Sequence, residues 1–219
     1  MLRVGFIVAG AGQIREECEG DLCASSGAAT TEYADASGPA LFGGDLMFHI
    51  GPDFRLGPGA LFLPKTSWDI DGASTDFEAG SELAVLLVGE GVFDLSNKVS
   101  LSVRGFIGAD LLFPGGDLKS SLKDRSIGTG SGALQCADFN RVRGASCSRG
   151  KQPFVGPTYG GGVGLLIPTG SVALRVELMF QAYDVQYSVF DLSIDGAGEG
   201  SFQGTIAGTR SLLAGGMEF

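Results

Sequence analysis

His49 is the only histidine in the chain. Any Ser–His–Asp or Cys–His arrangement would therefore have to be built on it. A general base needs positioned partners. His49 instead stands beside the short break Gly51-Pro52-Asp53, on the face of its segment that also carries Asp45. The sequence offers no catalytic constellation, and no enzymatic activity is expected. Gly160-Gly161-Gly162-Val163-Gly164 superficially resembles a phosphate loop, but it lacks the Gly-Lys-Ser/Thr ending and a following helix. Glycine inside a strand more simply makes room for bulky neighbours or for curvature. Four cysteines form two local pairs, Cys18 with Cys23 and Cys136 with Cys147. They lie in polar, Gly-rich segments without CxxC spacing. That pattern points to two loop disulfides formed in an oxidising compartment. No metal and no cofactor are expected.

The remaining chemistry-bearing groups are Glu82, Glu90, Arg104, Asp110, Arg175, Glu177 and Arg210. Each alternates with apolar residues. Charges of both signs arranged this way either line a water path or close on one another as ion pairs. The second is expected, because desolvating an unpaired ion costs several kcal/mol. The net charge of −10 argues against nucleic-acid binding, which needs a basic stripe facing phosphates.

The elements that position these charges follow from periodicity. The chain has no stretch of the roughly 18–20 apolar residues that a membrane helix needs. Glycine is abundant, at 37 residues, and it is unfavourable inside helices. Period two recurs instead. Val99, Leu101, Val103, Ile107, Ala109, Leu111 and Phe113 share one face, opposite Ser100, Ser102, Arg104, Phe106, Gly108 and Asp110. Val172, Leu174, Val176, Leu178 and Phe180 alternate with Ala173, Arg175, Glu177, Met179 and Gln181. The chain reads as all-β in one domain spanning 1–219, with strands near 1–10, 40–50, 54–68, 80–95, 98–113, 154–168, 171–190 and 200–219. Long connections (11–39, 69–80, 114–153, 191–200) alternate with short ones at 51–53, 95–98 and 168–171. An even strand count favours reading Met1–Gly10 as the first strand rather than as a signal peptide. The signal peptide itself is expected to have been removed already.

The polar faces also include Arg3, Asp45, His49, Arg55 and Glu218, and Gly, Ala and Ser fill much of the rest. Mixed charges with small residues suit the interior of a small barrel. The uniform Val, Leu, Ile and Phe face suits hydrocarbon. Only a closed sheet leaves no backbone group unpaired in lipid. The expected fold is an eight-stranded antiparallel up-and-down transmembrane β-barrel, with long extracellular loops and short periplasmic turns. Trp68, Phe154, Tyr159, Tyr183, Tyr187 and Phe190 are expected in its interfacial aromatic girdle.

The C-terminal segment Gly208–Phe219 and the Gly-rich Tyr159–Ile167 resemble the small outer-membrane barrels of the OmpA/OmpX type, a porin-like family. Leu213, Met217 and Phe219 match the alternating terminal pattern read by the barrel assembly machinery, whereas Gly215 departs from it. The resemblance implies a Gram-negative outer-membrane location, with lipid and lipopolysaccharide as surroundings and the assembly machinery as a partner. It implies a structural or surface-interaction role, and no OmpA-type periplasmic domain is expected after Phe219. A narrow channel for ions or small solutes and a soluble lipocalin-like barrel are the alternatives. The acidic 11–39 segment (Glu16, Glu17, Glu19, Asp21, Glu32, Asp35) and the basic 114–153 segment (Lys119, Lys123, Arg125, Arg141, Arg143, Arg149, Lys151) would dock on each other, or would meet lipopolysaccharide phosphates or an envelope protein.

Overall fold

A computed structural model describes residues 1–23, 28–35, 40–70, 76–125, 127 and 134–219, with the side chain of Cys23 excepted. The described residues are nearly all antiparallel β-sheet. The strands are β1 (Leu2–Gly20), β2 (Ala29–Asp35), β3 (Ala40–Asp45), β4 (Phe48–His49), β5 (Phe54–Ile70), β6 (Phe77–Ser96), β7 (Val99–Pro114), β8 (Ala145–Arg149), β9 (Phe154–Thr169), β10 (Val172–Ile194) and β11 (Gly198–Glu218). Helices α1 (Gly116–Asp124) and α2 (Cys136–Phe139) lie between β7 and β8.

The sheet closes on itself. β1 pairs with β11 from Leu2–Met217 to Gly20–Gly200. β11 pairs in turn with β10, which continues through β9, β7, β6 and β5. Between β5 and β1 run β2 and β3, each paired with both, while β4 pairs with β5. Closure gives backbone donors and acceptors a partner on both sides, so long strands carry no free edge. Two-residue alternation then sorts every strand into an outer wall and a lumen. One end of the barrel carries the short turns, including Gly170 at φ 79°, a left-handed conformation that glycine adopts without strain. This turn end also holds Met1 and Phe219. The other is the loop end.

The strands are longer than the sequence pattern indicates. Residues 11–20, read as loop, continue β1, and Ala29–Asp35 forms β2. Polarity misled here, because β1 runs past the apolar wall into a region where Glu16 meets Arg125 and Tyr187. The 191–200 segment is not a long loop either. β10 and β11 extend through it and meet at a tight turn at Asp195–Ala197, with Gly196 at φ 79°. The 114–153 segment carries α1, α2 and β8, and β8 pairs with β10 above the start of β9. His49 is exposed at the turn end rather than enclosed in the lumen.

The aromatic assignment is corrected as well. Tyr159 is on the outer wall, 59% exposed, but Trp68, Phe154, Tyr183, Tyr187 and Phe190 are buried inside. Register shifts at Leu63–Ser67 and Ser188–Phe190 turn Trp68 and Phe190 from the outward to the inward face. Tyr183 and Tyr187 share the parity of Arg175 and Glu177, so alternation alone places them inward. Glycines accommodate these rings. Tyr183 lies opposite Gly208 and Tyr187 opposite Gly204, where a Cβ would strike the phenol. Phe106 lies over Gly160 in the same way.

Candidate functional site

The lumen is built in four layers. At the turn end, alternate positions of β1, β3, β5, β6, β7, β10 and β11 bring Arg3, Asp45, Arg55, Glu90, Arg104, Arg175, Glu177 and Glu218 together. Four guanidinium groups face four carboxylates. Arg3 pairs with Asp45, and with Glu177 at 3.1 Å. Arg104 bridges Asp45 at 3.0 Å and Glu177 at 3.3 Å. Arg175 is the hub. It pairs with Glu90, donates to Ser102 Oγ, and reaches Glu177 at 3.1 Å and Glu218 at 3.5 Å. Arg55 joins Glu218 at the rim. Balanced signs and multiple donors are what permit such a cluster to be desolvated.

Above it lies an apolar layer of Ile7, Leu41, Leu61, Leu63, Ala84, Leu86, Val88, Phe106, Met179, Leu212 and Ala214. A second polar layer follows. Arg210 pairs with Glu82, and with Asp110 at 3.3 Å. Its Nε donates to Gln181 at 3.1 Å, and Gln181 donates to Thr158 at 2.9 Å. The guanidinium stacks 4.4 Å over the Tyr183 ring, and the Tyr183 and Tyr33 hydroxyls share a hydrogen bond of 2.8 Å. Asp35, read as a loop acid, is buried on the inward face of β2.

The fourth layer closes the loop end. Trp68 stacks on Tyr33 at 4.6 Å and on Phe77 at 5.9 Å, and Phe154 stacks on Tyr187 at 5.1 Å. The connection after β7 folds onto this layer. Leu118 of α1, Phe139 of α2 and the Cys136–Cys147 disulfide are buried in it. Arg125 ties the connection to β1, pairing with Glu16 and lying 5.2 Å from the Phe202 ring centre, while Tyr187 donates to Glu16 at 3.1 Å. The acidic and basic segments thus meet through Glu16 and Arg125. The Cys18–Cys23 pairing falls on a side chain outside the described residues.

All seven charges singled out in the sequence, Glu82, Glu90, Arg104, Asp110, Arg175, Glu177 and Arg210, are buried in the lumen. They divide into two layers rather than one. Arg3, Asp45, Arg55 and Glu218 complete the lower layer, and their parity on the polar faces was the available signal. On the outer wall at the turn end, Leu213 is half-buried, while Met217 and Phe219 are exposed. The carboxylates of Asp45, Glu82, Glu90, Asp110, Glu177 and Glu218 are engaged by guanidinium groups, so the arrangement acts as an electrostatic clamp between strands. The buried Asp35 carboxylate has no hydrogen-bond partner among the described residues.

No family model matches the chain, and no curated protein sequence does. Among solved structures, the outer membrane protein OprG from Pseudomonas aeruginosa aligns over 99% of this chain and 95% of its own, at 8% identity and a TM-score of 0.40. At that TM-score the likeness adds nothing to the strand pairing.

Proposed function

We propose that this chain is an integral outer-membrane β-barrel with a structural or surface-interaction role and a lumen filled by its own side chains. β2, β3 and β4 together fill one position in the ring, which makes the barrel eight-staved. One observation carries the reading: the polarity of the fold is inverted. Ile107 is 62% exposed, Phe180 56% and Val163 50%, while Arg104, Glu90, Arg175 and Arg210 are each exposed by 4% or less. A water-soluble barrel would place these sets the other way round. The turn end faces the periplasm and the capped loop end faces outward. Lipid and lipopolysaccharide surround the wall. The barrel assembly machinery reads Leu213, Met217 and Phe219, and an envelope protein meets the loops.

A filled lumen is favoured over a channel by the apolar layer between the two polar ones. Leu41, Leu61, Leu63, Met179 and Leu212 in that layer are fully buried. Eight strands enclose a space that side chains can fill. Planar-bilayer recording tests this: the expected trace shows no stable openings, and discrete conductance steps would overturn the filled-lumen reading. Electrophoresis of detergent-extracted protein before and after boiling tests the barrel itself. A heat-dependent mobility shift is expected. Recovery of native protein in a detergent-free soluble fraction would overturn membrane insertion.

A further inference from the structure

The 114–153 connection carries seven basic residues and three acidic ones in a chain of net charge −10. Folding concentrates part of that charge in one place. A cleft of about 220 Å³ lies between α1 and the outer ends of β9 and β10. Its lining includes Lys119, Leu122, Lys123, Arg149, Phe154 and Val189, with no carboxylate among the described lining residues. Lys119 and Lys123 are one helical turn apart and exposed, so both ammonium groups overhang the same side. Arg149 donates to the Leu122 and Lys123 carbonyls at 2.8 Å each, which fixes the end of α1 and adds a third positive charge. At its base Leu122 packs against the buried, inward-facing cluster that holds Phe154 and Val189.

The cleft's height matters. Phe154 immediately precedes Val155, the first outward apolar residue of β9, and α1 starts just after Phe113, the last one of β7. The cleft therefore sits at the outer border of the apolar wall, where lipid headgroups would lie if the membrane placement proposed above holds. We infer that this cleft seats the phosphate-bearing headgroup of an outer-leaflet amphiphile, with the lysines and Arg149 on the phosphate and the acyl chains left to the apolar outer wall below. Positive charge at this border attracts anionic headgroups, and the adjoining exposed wall at Phe113 and Val155 favours a lipid over a free anion.

The test uses the full chain in a zwitterionic detergent and bisphosphorylated lipid A as probe, with binding read by native mass spectrometry. Saturable binding is expected, weakened about tenfold by the double substitution Lys119→Ala/Lys123→Ala. Arg141→Ala/Arg143→Ala removes equal charge from the same connection away from the cleft, and less than a twofold change is expected. Equal weakening by both doubles would overturn the site in favour of diffuse charge. Competition by millimolar inorganic phosphate would overturn the amphiphile in favour of a free anion. A boiling-dependent mobility shift in each variant confirms that the barrel is intact. If that shift is absent in the unmodified protein while lipid A still binds, the membrane reading fails and the anion-binding cleft stands.

Discussion

Replacing Arg175 with Met removes the hub of the lower charged layer while nearly conserving volume. Arg175 contacts Glu90, Ser102, Glu177 and Glu218. Glu90 and Glu177 are almost fully buried, so each loses a partner without gaining water. Removing one member of a buried pair typically costs about 3–5 kcal/mol. The loss here is shared, because Glu177 retains Arg3 at 3.1 Å and Arg104 at 3.3 Å, and Glu90 retains Arg104 at 3.8 Å. The expected destabilisation is therefore at the lower end, about 3 kcal/mol. Reversible urea unfolding in phospholipid vesicles, followed by tryptophan fluorescence, measures it. The exposed pair Arg15–Glu17 supplies the contrast, because Arg15→Met should cost about 0–0.5 kcal/mol. Adding Glu90→Gln to Arg175→Met should recover part of the loss by discharging the orphaned carboxylate. An Arg175→Met variant within about 0.5 kcal/mol of the parent would refute mutual pairing in this layer.

Three further outcomes follow from the same geometry. Ile107→Arg places a charge on the outer wall midway along β7 and should cost about 2–4 kcal/mol in vesicle unfolding. The same stability as the parent would argue against lipid contact there. Trp68, the only tryptophan, is buried in the lumen, so lipids brominated along the acyl chain should leave its emission unchanged. Strong quenching would return it to the lipid-facing girdle. Gly204→Val should cost about 1–3 kcal/mol by overpacking against the Tyr187 ring. In a double-mutant cycle Tyr187→Ala should relieve part of that cost, and strict additivity would show that the ring is not what Gly204 accommodates.

The barrel was legible because period two survives along most strands. β7 and β10 carry it without interruption across the wall, and Arg104, Asp110, Arg175 and Glu177 fall inward on that count alone. Legibility failed where a local signal and the register disagreed. Polar composition hid the outer half of β1, because Glu16 looks like a loop residue until Arg125 and Tyr187 are known to meet it. For Trp68 and Phe190 the aromatic assignment failed because register shifts near them change parity without any sequence marker, and one extra residue sends a side chain to the other face. For Phe154, Tyr183 and Tyr187 the alternation itself gives the inward face, and their position toward the strand ends was the misleading signal. The cap was illegible for a different reason. Leu118 and Phe139 are isolated apolar residues in a polar segment, and only long-range packing shows that they close the lumen.

The inverted polarity of the wall is tested most directly by spin-label scanning of β7 in lipid vesicles, one position at a time from Leu101 to Leu112. Labels at 101, 103, 105, 107, 109 and 111 should show high collision rates with oxygen and low rates with an aqueous nickel complex. Labels at 102, 104, 106, 110 and 112 should show low rates with both. A scan in which the odd positions respond to nickel, or in which the period of two vanishes, would contradict a lipid-facing wall around a packed, charged lumen.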